Sequence, residues 1–144
     1  VPDYRRLEVR DCHGVLWAFY GKYEGQSVAS FEGDLSGLGL EDLPGASAQE
    51  AGSLRRHTLD PELDFIVVPI NSATVPELKR RLASQGVLGR EGSVIHTQLA
   101  AGEEVLLVAC DNFHDDCTVA SSSVPEPFLK DMLSRGLLRA YSDA

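Results

Sequence analysis

The stretch DFIVVPINSATVPELKRRLASQGVL, residues 64–88, decides the reading of the fold. Phe65–Ile70 is a short apolar run of the kind that forms a buried strand. Thr74, Pro76 and Glu77 then give an N-cap threonine, a proline in the first turn and a glutamate three residues after the cap, the pattern of a capping box. The spacing predicts a helix to about Ser84, with Leu78 and Leu82 on one face, Lys79, Arg80 and Arg81 on the solvated side, and Gly86 ending it.

The same device returns downstream. EVLLVAC at 104–110 reads as an apolar strand, and SSVPEPFLKDMLSRGLL at 122–138 as a capped helix with Phe128, Leu129, Met132 and Leu133 inward and Gly136 at its end. The second copy carries about nine more residues between strand and cap. Ser93–Leu99 and Val105–Ala109 flank a Gly-containing turn and predict a hairpin, and residues 137–141 a last strand. The order from Phe65 is β-α-β-β-α-β, so the expected class is α+β with a ferredoxin-like sheet and two helices.

Upstream, Arg5–Arg10 alternates, Asp11–Gly14 reads as a turn and Val15–Tyr20 as an aromatic strand, which predicts an N-terminal β-hairpin or small β-sheet, with Ser27–Phe31 as a third strand. Residues 32–64 carry eight carboxylates and no sustained periodicity. They are read as an acidic, Gly-containing connection, with at most a short helix near 47–56. The whole, residues 1–144, is read as one domain with a β-rich part at 1–31, this connection, and the βαββαβ part at 65–144. Phe65–Ile70 and Val105–Cys110 are apolar on both faces, so the sheet face away from the helices must also be covered. The N-terminal hairpin with Trp17 and Phe19 is one candidate cover and a second subunit the other.

Chemistry-bearing groups concentrate in ACDNFHDDCT, residues 109–118. Cys110, His114 and Cys117 are the candidate metal ligands, with a carboxylate or His96 to complete a tetrahedron, although their spacing is not that of a zinc-binding signature. Asp111, His114 and Asp115 are candidate ligand-binding residues because they follow a strand, and His96 and Gln98 because alternation points them to the second sheet face. Against a site stands a polar loop in which Asp111 and Asn112 make the turn, Phe113 plugs the core edge and His114 is a surface histidine. The two thiols can also be read as a redox pair. Catalysis by them is disfavoured because the loop is acidic and carboxylates raise a thiol pKa, and no residue is assigned as catalytic.

The formal charge of −9, from 22 acidic against 13 basic residues, opposes nucleic-acid phosphate and anionic lipid, and no run is long and apolar enough for a bilayer span. GxGxxG, P-loop, HExxH and GxSxG motifs do not occur, and no cofactor is expected. Three cysteines and no leader-like N-terminus suggest a cytosolic chain. The expectation is a non-enzymatic interaction or regulatory module that binds a protein partner or its own copy. The alternative is a small-molecule or metal-dependent enzyme with its site at His96 and the Cys110–Cys117 loop.

Overall fold

A computed structural model describes residues 3–143; Val1, Pro2 and Ala144, the ends of the single-domain reading, lie outside the described residues. In chain order the elements are β1 (Tyr4–Val9), α1 (Cys12–Lys22), β2 (Ser27–Gly33), β3 (Asp64–Ile70), α2 (Val75–Leu82), β4 (Val94–Ala101), β5 (Glu104–Ala109), β6 (Thr118–Ser121), α3 (Glu126–Ser134) and β7 (Leu138–Asp143). Single 3-10 turns lie at Leu40–Asp42 and Asp115–Cys117. The fold is α+β, and no described helix is long and apolar enough to cross a membrane.

The seven strands form one antiparallel sheet in the order β3-β2-β4-β5-β6-β1-β7. β3 and β4 both pair with β2, so they run parallel to each other and α2 joins them across it. β6 and β7 flank β1 in the same way and are joined by α3. Each half is a split βαβ unit whose central strand comes from the N-terminal part of the chain, and β5 joins the halves.

This order departs from the ferredoxin-like sheet. The βαββαβ stretch cannot close a sheet by itself, because β1 and β2 occupy its centres, and it holds an additional strand, β6. That strand also resolves the unequal repeat. Residues 71–74 lie between β3 and α2 and residues 122–125 between β6 and α3, four in each case. The strand equivalent to β3 is therefore β6, and the extra residues of the second copy are a turn plus this strand.

The N-terminal hairpin is absent, and the segment read as its turn and second strand is α1. Val15, Leu16, Phe19 and Tyr20 are its buried residues, a helical spacing that the aromatic, β-prone composition obscured. Its start is fixed by Asp11, whose Oδ1 accepts the Gly14 N–H at 2.9 Å. Ser27–Phe31, read as a weak third strand, lies in β2 (Ser27–Gly33), the buried centre of one half of the sheet.

Neither capping box forms. Asn71 Oδ1 accepts the N–H groups of Ala73 and Thr74, while the Thr74 hydroxyl donates to Pro69 O. At α3 the Ser121 hydroxyl takes the Ser123 N–H, and Pro125 stands at the cap position. Leu133, expected inward, is 38 % exposed, whereas Leu129 and Met132 are buried. The helices share one sheet face, where Phe19, Leu78, Leu82, Leu129 and Met132 pack with Leu7, Phe31, Val68, Leu99 and Leu107.

On the opposite face the connection at 34–63, which forms no helix near 47–56, covers β3, β2 and β4 and reaches the end of β5. Ser47 exchanges two backbone hydrogen bonds with Val67, and Leu54 packs on Phe65, Val67, Ala100 and Val28. The Arg56 guanidinium lies 5.1 Å over the Phe65 ring. The N-terminal segment is not the cover, because its aromatic residues lie in α1 on the other face.

Candidate functional site

Where β2, β4 and the end of β5 meet this cover, three side chains of metal-ligating type converge. One ligand atom each from His57, His96 and Cys110 lies within 4.8 Å of the other two, the one such group among the described residues.

His96 enters through the register of β4. A bulge between Glu32 and Gly33 pairs Glu32 with His96 and Gly33 with Val94. Gly33 adopts φ 154°, and a Cβ there would stand 2.0 Å from Ser93 O, so the bulge needs glycine. Glu32 is 1 % exposed on the second face. Its Oε1 accepts the His57 N–H at 2.7 Å and its Oε2 the Thr58 N–H at 3.0 Å, which anchors the connection over the sheet. Gln98, also buried, donates from Nε2 to Arg55 O at 3.2 Å and extends the same anchorage.

The His57 ring stacks on His96 with centroids 5.0 Å apart and 24° between planes. His96 Nδ1 accepts the Asp111 N–H at 3.2 Å, so in the neutral ring Nε2 carries the proton and donates to Thr58 Oγ1 at 3.1 Å. Cys110 Sγ is 3.2 Å from His57 Nδ1.

The turn after Cys110 is strained. Asp111, Asn112 and Phe113 lie consecutively in the left-handed region at φ 49°, 59° and 64°, where non-glycine residues normally occur singly. Asn112 holds the turn to the start of β4: its side-chain amide donates to Gly92 O at 2.9 Å and Val94 O at 3.2 Å, and its N–H to Ile95 O at 2.8 Å. This turn aims the Asp111 N–H at His96 and keeps Cys110 beneath His57.

The electrostatics of the site favour a cation. Burial, with Cys117, Asp111 and Glu32 adding to it, pushes the Cys110 thiol up to about 12. Burial holds the His96 imidazole below its ordinary value, with His57 acting in the same sense and Glu32 and Asp111 against it. A thiol so disposed is a poor free nucleophile. A bound metal ion reverses that logic, because it displaces the thiol proton and is attracted by the nearby carboxylates.

Of the residues singled out from sequence, His96 and Cys110 come together. His114 does not join them: its side chain is 60 % exposed, and Nδ1 accepts the Asp116 N–H at 3.1 Å while Phe113 beside it is buried. Asp115 pairs with Arg139 at 3.0 Å. Asp111 contributes its backbone N–H and its charge. Cys117, half-buried, donates from Sγ to Cys110 O at 3.2 Å. His57 was missed because it lies in the aperiodic connection, where only its being one of four histidines marked it. The chain matches no family model, no curated protein and no solved structure.

Proposed function

We propose that this chain is a metal-binding α+β domain, with His57, His96 and Cys110 as the protein ligands of a thiophilic divalent ion of the zinc type. The observation that carries this reading is the convergence of two imidazoles and a thiol within 4.8 Å, brought from the connection, β4 and the end of β5. Bond lengths to zinc of about 2.0–2.3 Å put tetrahedral ligand atoms about 3.3–3.7 Å apart, so coordination asks the group to close by roughly an ångström.

His96 would bind through Nδ1 and keep its Nε2–H on Thr58, the outer hydrogen bond that orients a ligating imidazole. Asp111 N–H would give up its present acceptor. Three protein ligands leave a fourth position for water or substrate, the arrangement of metal-dependent enzymes rather than of closed structural sites. The free thiols suit a reducing compartment such as the cytosol. The interaction-module reading, which rests on the absence of catalytic motifs and on the acidic surface, with a net charge of −9, stands second.

Cobalt(II) titration of the reduced protein tests the proposal. One equivalent should bind with thiolate-to-metal absorption in the near ultraviolet and tetrahedral d–d bands. Cys110→Ser should abolish the charge-transfer band, and His57→Ala should weaken binding by about tenfold or more. No cobalt binding up to near-millimolar concentration, or unchanged binding by Cys110→Ser, would overturn it.

A further inference from the structure

Cys110 directly follows β5 and Cys117 directly precedes β6. Ala109 and Thr118 are the last antiparallel pair of the ladder; just beyond it, where Cys117 ends the 3-10 turn, the Cys110 N–H donates to Cys117 O at 3.4 Å. Cys117 Sγ donates to Cys110 O at 3.2 Å, so the second thiol lies against the first residue's backbone. Directly opposed antiparallel residues, as Ala109 and Thr118 are, stand about 4.5–5.5 Å apart at Cα, inside the roughly 4.4–6.8 Å that a disulfide spans. The intervening residues 111–116 turn the chain back, so the pair spans a short loop between neighbouring strands. The two thiols differ in access: Cys110 is 9 % exposed, whereas Cys117 is open to solvent on one side.

We propose that Cys110 and Cys117 form a reversible disulfide by exchange with low-molecular-weight disulfides such as oxidised glutathione, and that this withdraws the sulfur ligand from the metal site; the second part rests on the metal-binding reading. Cys117, the accessible thiol, loses its proton and attacks one sulfur of the glutathione disulfide. A Cys117–glutathione bond forms, the S–S bond of the reagent breaks, and one glutathione thiolate leaves. Cys110, deprotonated in turn, attacks Cys117 Sγ and expels the second glutathione thiolate. The protein gives up two electrons and two protons, and two glutathione thiols carry them away. Once its sulfur is bonded to Cys117, Cys110 is no longer a thiolate donor, and the site is left with two imidazoles. A bound ion would protect Cys110, so metal loading and oxidation should be mutually exclusive.

The full chain, reduced and freed of metal by chelator, is incubated with oxidised glutathione and its thiols are counted after denaturation. From the three cysteines present, the count should fall to one, the mass should drop by two hydrogens, and a peptide map should link 110 to 117. Cobalt(II) added to the oxidised protein should give no thiolate band, and a dithiol reductant should restore it. Cys12→Ser should still oxidise at this pair, whereas Cys110→Ser should stop at a glutathione adduct on Cys117.

Persistence of all three thiols, or an adduct on Cys117 in the wild-type chain that never resolves to the 110–117 link, would overturn the proposal. If the disulfide forms while the reduced protein takes up no cobalt, the metal reading fails and the redox pair stands. If cobalt binds the reduced protein and no disulfide forms, the redox proposal fails alone.

Discussion

Glu32 Oε1 accepts the backbone N–H of His57 at 2.7 Å, so a buried carboxylate on a central strand fixes the position of an exposed imidazole far along the chain. Its other oxygen takes the Thr58 N–H, and Thr58 in turn holds His96. Glu32→Gln keeps one acceptor and turns an amide N–H₂ toward the second donor, leaving it unpaired. The variant should lose about 1–3 kcal/mol of stability, read from the urea midpoint. Residues 55–58 should show faster amide exchange, and cobalt affinity should fall about 10–100-fold. An unchanged midpoint and unchanged exchange would remove Glu32 as the anchor.

Asn112 is the second control point, because its side chain holds the left-handed turn that aims the Asp111 N–H at His96. Asn112→Gly relieves the positive φ but forfeits both side-chain hydrogen bonds; Asn112→Ala forfeits them and adds backbone strain. Thermal midpoints should rank wild type, then glycine, then alanine, with alanine costing about 2–4 kcal/mol. The His96 ring nitrogen resonances should move in both variants. An alanine variant as stable as wild type would show that the turn is not held in this way.

The sequence was most legible where apolar periodicity and helix boundaries agreed, as in Phe65–Ile70 with α2 and in the helix starting at Glu126. Thr74 and Ser123 marked the region of the helix starts, but Asn71 and Ser121 make the turn hydrogen bonds there. Reading failed where composition and period disagreed: Val15–Tyr20 has the residue types of a strand and the burial pattern of a helix. Thr118–Ser121 was hidden because a strand this short, directly after a polar turn, carries little pattern of its own. The site was half legible. Alternation along β4 placed His96 on the second face, and Cys110 stood at a strand end, but His57 depends on Glu32 pairing with a backbone 25 residues away, which no local pattern encodes.

Gly33 tests whether the bulge between β2 and β4 builds the site. With φ 154° and a Cβ position 2.0 Å from the Ser93 carbonyl oxygen, alanine meets backbone that cannot yield without shifting the β2–β4 register. Gly33→Ala should cost at least about 1–3 kcal/mol, seen as a lower denaturant midpoint. It should also impair cobalt binding more than an equally destabilising change in the helix-side core such as Leu129→Ala, because only the former displaces Glu32 from His96. Equal losses of binding at equal stability would reduce Gly33 to a packing role.

The pH dependence of the metal-free protein follows from His96. Burial lowers its folded pKa below the unfolded value near 6.5, so the unfolded state binds the proton more readily as pH falls. Stability is therefore fully present above about pH 6.5 and is lost progressively as pH drops toward the folded value. Glu32 and Asp111 work against this depression and His57 works with it, and Cys110 stays a neutral thiol throughout the window. Urea midpoints taken between pH 7.5 and pH 5 should decline for the wild type. His96→Gln, which removes the titrating ring and keeps an amide near Thr58 and Asp111, should flatten that decline even if it lowers the midpoint overall. A slope that survives unchanged in His96→Gln would move the pH sensitivity out of the site.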